Sequence, residues 1–403
     1  MPNNAEWLKR ARAVIPWGSS TCSKAAKWMP EEPAVIVKGK GCRVRDAEGR
    51  EFIDFRNGLG PVTLGYQFPA VNAAIARQLK SGIVFGHPHP LEVEVAEMLS
   101  KNIPCAERVR FLKTGGEALA ACIRLARCHT GRDHVIQIGY NGWLNSLACG
   151  GRTLPGAKAA NVPPGVPEAL SMLHHACDWN NCDRLESLFK EHGGQVAALV
   201  IAADYARMAE GVDFYPFARR LADRHGAVLI YDEIVTGFRV ALAGVQEYFK
   251  VVPDLAVFAK GFANGMPLSA YCGKADIMNK LEKAVVSSTY AGEALPLAAA
   301  KATLETYRNE KVVAHLWRMG EMMGRGLTAL FEKHNLPVCV RGLWPCPAII
   351  FKQDAPPGFM EKFFRAAYRN GVSLYHVYYV NFSHREKDIR EALDRLEKAF
   401  QTL

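Results

Sequence analysis

The chain opens with a helical hydrophobic pattern that three short strand-like segments follow. The helical pattern covers residues 5–14 and ends before Pro16. The strand-like segments are separated by glycines and charged turns, which predicts a small antiparallel sheet. They cover residues 34–37, 41–46 and 52–54.

From about residue 70, helical spacing alternates with short apolar runs. Runs of this kind, bounded by turns and separated by helices, are typical of buried parallel strands in β–α–β units. The predicted strands are residues 109–112, 135–138, 196–202, 228–231, 257–259 and 269–272. The predicted helices of this region are residues 70–79, 90–99, 117–128, 217–225 and 296–308.

The C-terminal part again combines helices with a strand. Its predicted elements are residues 312–334, 348–351, 359–370 and 386–400. The pattern therefore predicts an α/β protein with a large, mostly parallel sheet domain at residues 66–305. A small α/β domain would form from both termini, residues 1–65 and 306–403.

Length and composition indicate a globular protein. The chain has 403 residues, of which 49% are hydrophobic and 22% charged, and both shares are ordinary. No apolar run approaches the roughly 18–20 residues that a membrane span needs. The N-terminus lacks the apolar core of a secretory signal. We therefore expect a cytoplasmic protein with no membrane partner.

The net charge of +10 raises the question of nucleic acid. Binding proteins of that kind concentrate their positive charge in a stripe, whereas Lys and Arg are spread along this whole chain among acids. We expect no nucleic-acid partner and attribute the excess to an anionic cofactor or substrate and to general solubility. The 11 cysteines form no CxxC pair and have no His run at zinc spacing, so we expect thiols and no metal site.

A glycine turn follows the first strand of the central region. There a strand ends in Thr114-Gly115-Gly116 and a helix starts at once. Glycines let backbone N–H groups approach an anion, and the helix N-terminus adds a partial positive charge. Taken alone, the two glycines also fit a turn without a ligand.

Two ionisable residues follow buried strands. Asp232 lies at the edge where open α/β sheets bind ligands, and an ionised carboxylate there needs a cationic or N–H partner. A protonated pyridine nitrogen would serve, although an Asp that caps a turn is an equal alternative. Lys260 directly follows another strand, where desolvation favours the neutral amine that forms imines. A lysine with its head in water is the alternative.

Two further residues, Thr289 and Tyr140, are candidates to contact the same ligand. Thr289 lies among hydroxyls before a helix start and can bond a phosphate oxygen or cap the helix. Tyr140 follows a strand and can stack on a flat ring or pack in the core. Together the motifs supply a phosphate cradle, a ring-nitrogen carboxylate and an imine lysine. These are the demands of pyridoxal 5′-phosphate (PLP).

On these motifs the chain resembles the class III aminotransferases, within them the glutamate-1-semialdehyde aminotransferase-like branch. The most specific stretches are Tyr231-Asp-Glu-Ile-Val-Thr-Gly-Phe-Arg239 and Phe258-Ala-Lys260-Gly. The resemblance implies PLP fold type I, with helices on both faces of the large sheet, and a homodimer with shared active sites. It also implies transfer of an amino group between an amino donor and a carbonyl compound through a Lys260 aldimine. An aminomutase, a racemase, a decarboxylase or a non-catalytic ligand-binding relative stays open.

The resemblance assigns a role to each cofactor contact. The implied contacts are Gly115 and Gly116 at the phosphate, Tyr140 and Ile234 on the two ring faces, Asp232 at the ring nitrogen, Lys260 at the aldehyde carbon and Thr289 at the phosphate of the neighbouring subunit. Asp232 and Lys260 would be the catalytic pair.

The chain also departs from the pattern of its relatives. Asn141 stands where many of them carry His, and Ala202 stands where they carry Glu. A Gly-Asn pair is replaced by Ala206-Arg207, which adds a positive charge. We predict substrate contacts at three residues, Trp17, Lys24 and Arg207. The departures leave the substrate and the reaction subtype open.

Overall fold

The structure is a computed structural model that describes residues 2–144 and 164–403. The chain forms two compact units, one made of Met1–Pro69 with Ala314–Leu403 and the other of Ala70–Val313. The domain boundaries predicted from the sequence, at 65/66 and 305/306, lie near these limits. That folding domains begin and end at the predicted positions stays a prediction.

Helices and strands alternate along most of the described chain. The helices are α1 (Asn4–Val14), α2 (Pro69–Leu79), α3 (Pro90–Asn102), α4 (Gly115–Thr130), α5 (Glu168–Ser171), α6 (Cys182–His192), α7 (Gly211–His225), α8 (Val245–Tyr248), α9 (Ala275–Met278), α10 (Leu281–Ala284), α11 (Ala294–Glu310), α12 (Val312–Lys333), α13 (Phe359–Arg369) and α14 (Glu386–Phe400). The strands are β1 (Ile36–Lys40), β2 (Arg43–Asp46), β3 (Glu51–Asp54), β4 (Arg108–Leu112), β5 (His134–Ile138), β6 (His174–Cys177), β7 (Val196–Ala202), β8 (Val228–Asp232), β9 (Leu255–Phe258), β10 (Ser269–Gly273), β11 (Val338–Arg341), β12 (Ala348–Phe351) and β13 (Val372–Ser373).

The strongly patterned elements lie where the sequence predicts them, and β7, β12 and α14 have the predicted bounds. The largest difference among them is α7, which begins at Gly211 instead of residue 217. Its Pro216 lies in the second turn, so the helix loses one backbone hydrogen bond and continues. Strand β6 and helix α6 have no predicted counterpart. The sequence of β6, His-His-Ala-Cys, lacks the apolar run that marks a buried strand.

The larger unit contains a seven-stranded sheet in the order β4-β10-β9-β8-β7-β5-β6. Strands β6, β5, β7, β8 and β9 are mutually parallel. Strand β10 runs antiparallel to both β9 and β4, so β4 has the direction of the parallel set. The predicted, mostly parallel sheet is therefore confirmed, and the carboxyl ends of six strands share one edge.

Helices cover both faces of this sheet. Successive residues of a strand point to opposite faces, so each strand contacts helices on both sides. Val228 and Ile230 of β8 pack with the buried face of α4 in one core cluster. Tyr231, the next residue after Ile230, points the other way, and its ring lies 4.9 Å from that of Tyr215 on α7. Burial of these strands on both sides explains why they read as continuous apolar runs.

The smaller unit has its own sheet, in the order β1-β2-β3-β13. The first three strands are antiparallel, as predicted, and the C-terminal β13 joins β3 in parallel. Strands β11 and β12 form a separate antiparallel pair. Aromatic rings fill the core, with Trp28 stacked on Phe364 at 4.4 Å. Both termini therefore contribute to one unit.

The helices of the described segments include none with the length and apolarity to cross a bilayer. Every cysteine in these segments is a free thiol.

A buried carboxyl group organises the loop after β8. Glu233 is completely buried and accepts hydrogen bonds from the N–H groups of Val245 at 2.9 Å and Gln246 at 3.1 Å. The Thr236 hydroxyl donates to it as well. Burial raises the pKa of Glu233 to about 7. Gly244 lies against this carboxyl group with a φ of +73°, and a Cβ there would overlap the carboxyl oxygens.

We expect Gly244→Ala to lower the free energy of unfolding by about 3 kcal/mol or more, through backbone strain and displacement of the buried carboxyl group. Gly131 is a matched control, because it has a φ of +67° and no atom within 4 Å of an added Cβ. Gly131→Ala should cost only about 1 kcal/mol. Denaturant unfolding of both variants measures the difference, and equal losses would contradict this account.

Candidate active site

A cavity of about 520 Å³ opens at the carboxyl edge of the large sheet. Its walls are the segments that follow β4, β5, β7, β8 and β9. The lining residues are 114–117, 140–144, 202, 203, 205, 232, 234–236 and 260. The volume is typical of small-molecule sites, and this edge is where parallel α/β sheets bind ligands.

The predicted glycine turn forms one wall as the N-terminus of α4. Thr114 caps the helix, since its hydroxyl accepts from the Glu117 N–H at 3.3 Å. The Glu117 carboxylate turns back and accepts from the Thr114 N–H at 2.7 Å. Gly115 and Gly116 are thus the first two helical residues, whose N–H groups have no acceptor within the helix. These groups and the helix dipole suit an anion such as phosphate.

Gly115 also lets the chain come close to Ile234. A Cβ at Gly115 would overlap the Ile234 side chain, whereas a Cβ at Gly116 would meet Leu144 at an ordinary 3.7 Å. The described neighbours therefore require a glycine at Gly115 for close packing, whereas they leave room for a Cβ at Gly116.

Asp232 and Lys260 meet at the cavity because their strands are parallel neighbours. Asp232 ends β8 and pairs with Val257 of β9, after which the chain reaches Lys260 within three residues. Desolvation raises the pKa of Asp232 to about 6, while the Ile234 N–H, at 3.0 Å, and the positive charge of Lys260 act in the opposite direction. A further cationic partner would stabilise the ionised carboxylate.

Lys260 has an unusual backbone. It opens a short 3₁₀ turn, Lys260–Ala263, one residue after β9, with a φ of +46°. A left-handed conformation costs a residue with a side chain about 1 kcal/mol or more. Such strain concentrates at functional sites, and here it accompanies a lysine that lines the cavity.

Asn141 contributes an unsatisfied acceptor. Its side chain is buried and its Nδ2 donates to the carbonyls of Ile138 and Gly139, both at 3.2 Å. Among the described residues no donor reaches its Oδ1. A buried acceptor without a partner costs about 1–3 kcal/mol, so this oxygen is available to a ligand that donates a hydrogen bond.

The structure brings together most of the predicted cofactor contacts. Tyr140 and Ile234 line the same cavity as the glycine turn, Asp232 and Lys260. Thr289 is exposed in the turn before α11 and is not part of the cavity wall in its own chain. The roles of all these residues stay predictions.

The predicted substrate contacts are not part of the cavity wall. The Arg207 guanidinium pairs with Glu210 at 2.8 Å and donates to the Trp179 carbonyl at 3.2 Å. Trp17 and Lys24 belong to the smaller unit, where both are exposed. Their contact with a substrate stays a prediction.

Sequence reasoning missed Tyr205, Val235 and Thr236, which also line the cavity. Tyr205 comes shortly after the carboxyl end of β7, so the rule that draws attention to Asp232 could have found it. Thr236 offers no such signal, because its hydroxyl is committed to the buried Glu233.

Comparison with known proteins agrees with this architecture. The family model "Aminotransferase class-III" matches residues 25–400. The glutamate-1-semialdehyde 2,1-aminomutase of Persephonella marina is 30% identical and covers 100% of this chain and 99% of its own. That of Laribacter hongkongensis is 32% identical with 99% of each chain covered. The PLP internal aldimine form of the Sphingopyxis sp. MTA144 FumI protein superimposes with a TM-score of 0.90, at 27% identity and over 99% of this chain and 96% of that one.

Fold, cavity and relatives together define an α/β enzyme of the PLP fold type I class. The chain belongs to the class III aminotransferase family. The predicted fold, enzyme class and cofactor are therefore confirmed, as is the resemblance to the glutamate-1-semialdehyde aminotransferase-like branch.

The raised pKa of Asp232 predicts a pH-dependent stability. An acid whose folded pKa lies above its unfolded value of 3.8 stabilises the fold below about pH 4 and loses that contribution as pH rises through about 6. Near pH 4 the cofactor-free Asp232→Asn variant should have the same melting temperature as the cofactor-free wild type. At about pH 7 its melting temperature should be higher than that of the wild type. The Asn side chain can still accept from Ile234. Thermal melts across this range test the expectation, and a constant difference would contradict it.

Proposed function

We propose that the chain transfers amino groups with PLP held by Lys260 and with its ring nitrogen paired to Asp232. The observation that carries the proposal is the placement of this amine and this carboxyl group at one cavity beside a helix N-terminus. The pairing of β8 with β9 positions the two side chains, and α4 faces them.

The residues present fit this cofactor. Two glycine N–H groups at the start of α4 suit the phosphate. The raised pKa of Asp232 shows that Lys260 alone does not offset the burial of this carboxyl group, and a pyridinium would supply a second positive charge. Asn141 offers an unsatisfied acceptor at the same cavity. Tyr140 and Ile234 would hold the ring between their side chains.

PLP, when bound, supplies an aldehyde carbon that condenses with amines and a ring that takes up electrons. Asp232, ionised, keeps the ring nitrogen protonated. The Lys260 Nζ would accept the proton that the donor Cα releases and deliver it to the carbon that was the cofactor's aldehyde carbon. The positive charge of Lys260 is close enough to act on the Asp232 carboxylate. Lys260, which would carry the proton, and Asp232, which would hold the ring nitrogen protonated, therefore lie in one small cavity.

We expect Lys260→Ala to lower the rate of amino-donor conversion by about 10²–10⁴-fold, because the proton acceptor at the substrate Cα is lost. Lys250 is a matched control, since it is an exposed lysine with a similar φ of +57° that is not part of the cavity wall. Lys250→Ala should leave the rate unchanged. Single-turnover absorbance of the PLP-loaded proteins measures both, and full turnover by Lys260→Ala would refute the proposal.

We also propose a homodimer in which Thr289 reaches the phosphate in the neighbouring subunit. Thr289 supports this arrangement because it is exposed and is not part of the cavity wall in its own chain. A hydroxyl bonded to a charged phosphate contributes about 1.5–3 kcal/mol. The small-molecule donor and acceptor, the cytoplasmic location and the lack of a nucleic-acid partner stay predictions.

Mixed dimers of a Lys260→Ala chain and a Thr289→Val chain test this sharing. One of their two sites would combine Lys260 from one chain with Thr289 from the other. We expect half of the sites to bind PLP with wild-type affinity, while Thr289→Val homodimers bind about 10-fold or more weakly. Titration of dimers purified through two different tags measures this. Weak binding at all sites would show that Thr289 acts within its own chain.

The names of the relatives favour a second candidate, an intramolecular aminomutase. Racemases and decarboxylases begin with the same condensation. An isotope-labelled amino donor distinguishes transamination from aminomutation. Label that appears in a second carbonyl compound supports transamination, and label that moves within one carbon skeleton supports aminomutation.

A further inference from the structure

Three histidines converge at the end of the sheet opposite the cavity. His134 begins β5, His175 lies in β6 and His192 ends α6. The parallel register sets Ile136 opposite His175, so the two-residue side-chain period puts His134 and His175 on one face. Helix α6 then brings His192 against them, with its ring centroid 4.1 Å from that of His175.

The nitrogens of these rings are close enough to share an ion. One ligand atom from each residue lies within 4.8 Å of the other two. His134 Nδ1 and His175 Nε2 are 2.8 Å apart. All three side chains are partly exposed, so an ion can reach them from solvent.

We propose that His134, His175 and His192 bind a divalent transition-metal ion, with zinc as the prime occupant. Three neutral imidazoles with water in a fourth position form a known zinc coordination set. Metal–nitrogen bonds of about 2.0–2.1 Å put two tetrahedral ligands about 3.3 Å apart. The pair now at 2.8 Å therefore needs to open by about half an ångström. The His192 ring, now stacked on that of His175 with 16° between their planes, needs to turn so that one of its nitrogens approaches the same ion.

The rings are in the neutral form that can bind a cation. Burial lowers the pKa of His175 to about 4, and burial also lowers the pKa of His134. Both rings are therefore neutral near pH 7 and expose lone pairs. The short contact between them needs one shared proton, which the metal ion would replace.

Charged neighbours of both signs act on this cluster. Asp133 and Glu191 favour positive charge there, whereas Arg127 and Arg184 oppose it. Arg184 is itself paired with Glu191 at 3.1 Å. The three imidazoles therefore lie among both acidic and basic side chains.

A metal ion at this position would join three elements. Strand β6 is the last strand of the sheet, and β5 and α6 are its neighbours. Because the cluster lies at the start of β5 and Tyr140 lies beyond its other end, the ion would stabilise the sheet edge without touching the cavity. The sequence predicted no metal site, since the three histidines lie far apart in it and only the sheet register brings two of them together.

Cobalt(II) titration of the PLP-loaded protein, after removal of excess PLP, tests this site. We expect one ion per chain, with visible ligand-field bands and no sulfur charge-transfer band. His192→Asn, the change at the helix end, should weaken binding by at least about 10- to 100-fold. Exposed His87 is the control, and His87→Asn should bind cobalt as the wild type does.

A second readout does not depend on the variants. Crystals soaked in zinc should show an anomalous peak between the three imidazoles. Zinc should also raise the melting temperature of the wild type but not that of His192→Asn. The proposal would be overturned if cobalt were bound by sulfur, or if the wild type and His192→Asn bound cobalt with equal affinity. It would also be overturned if the zinc-soaked crystals showed an anomalous peak only at another position.

Discussion

The attraction between the Asp232 carboxyl group and the Lys260 amine is the interaction on which the rest of the active site depends. Two neighbouring parallel strands end at one edge of the sheet, and each delivers one of these groups to the same cavity. A buried carboxylate needs a positive partner, and a lysine alone does not satisfy this one, as its raised pKa shows. In the proposed function, a cationic pyridine ring would supply the second positive charge.

Several energetically unfavourable features lie at the cavity. Asp232 is poorly solvated, Lys260 has a left-handed backbone, and Asn141 has an acceptor without a donor among the described residues. Elsewhere in the larger unit, apolar strands pack against helices on both faces. Features of this kind also occur elsewhere in the larger unit, as in the left-handed backbone of Phe238 and the buried Tyr215 hydroxyl that has no partner among the described residues. At the cavity they support a ligand-binding site because they accompany its concave shape and its paired charges.

Much of this arrangement follows from sequence pattern, because parallel strands read as apolar runs and their carboxyl ends define the ligand edge. Asp232, Lys260 and the Gly115-Gly116 turn were found in this way. Tyr205 was missed although the same rule applies to it. The charge balance at Arg207 could not be anticipated, since its pairing with Glu210 depends on how the chain folds after β7. The histidine cluster was invisible, because an edge strand of polar sequence carries no periodic signal.

Reductive fixation of the cofactor tests the central claim most directly. Borohydride treatment of the PLP-loaded protein, followed by digestion and mass spectrometry, identifies the lysine that holds the cofactor. This account predicts that the fixed pyridoxyl group lies on the peptide that contains Lys260. Fixation on another lysine, or on none, would contradict it.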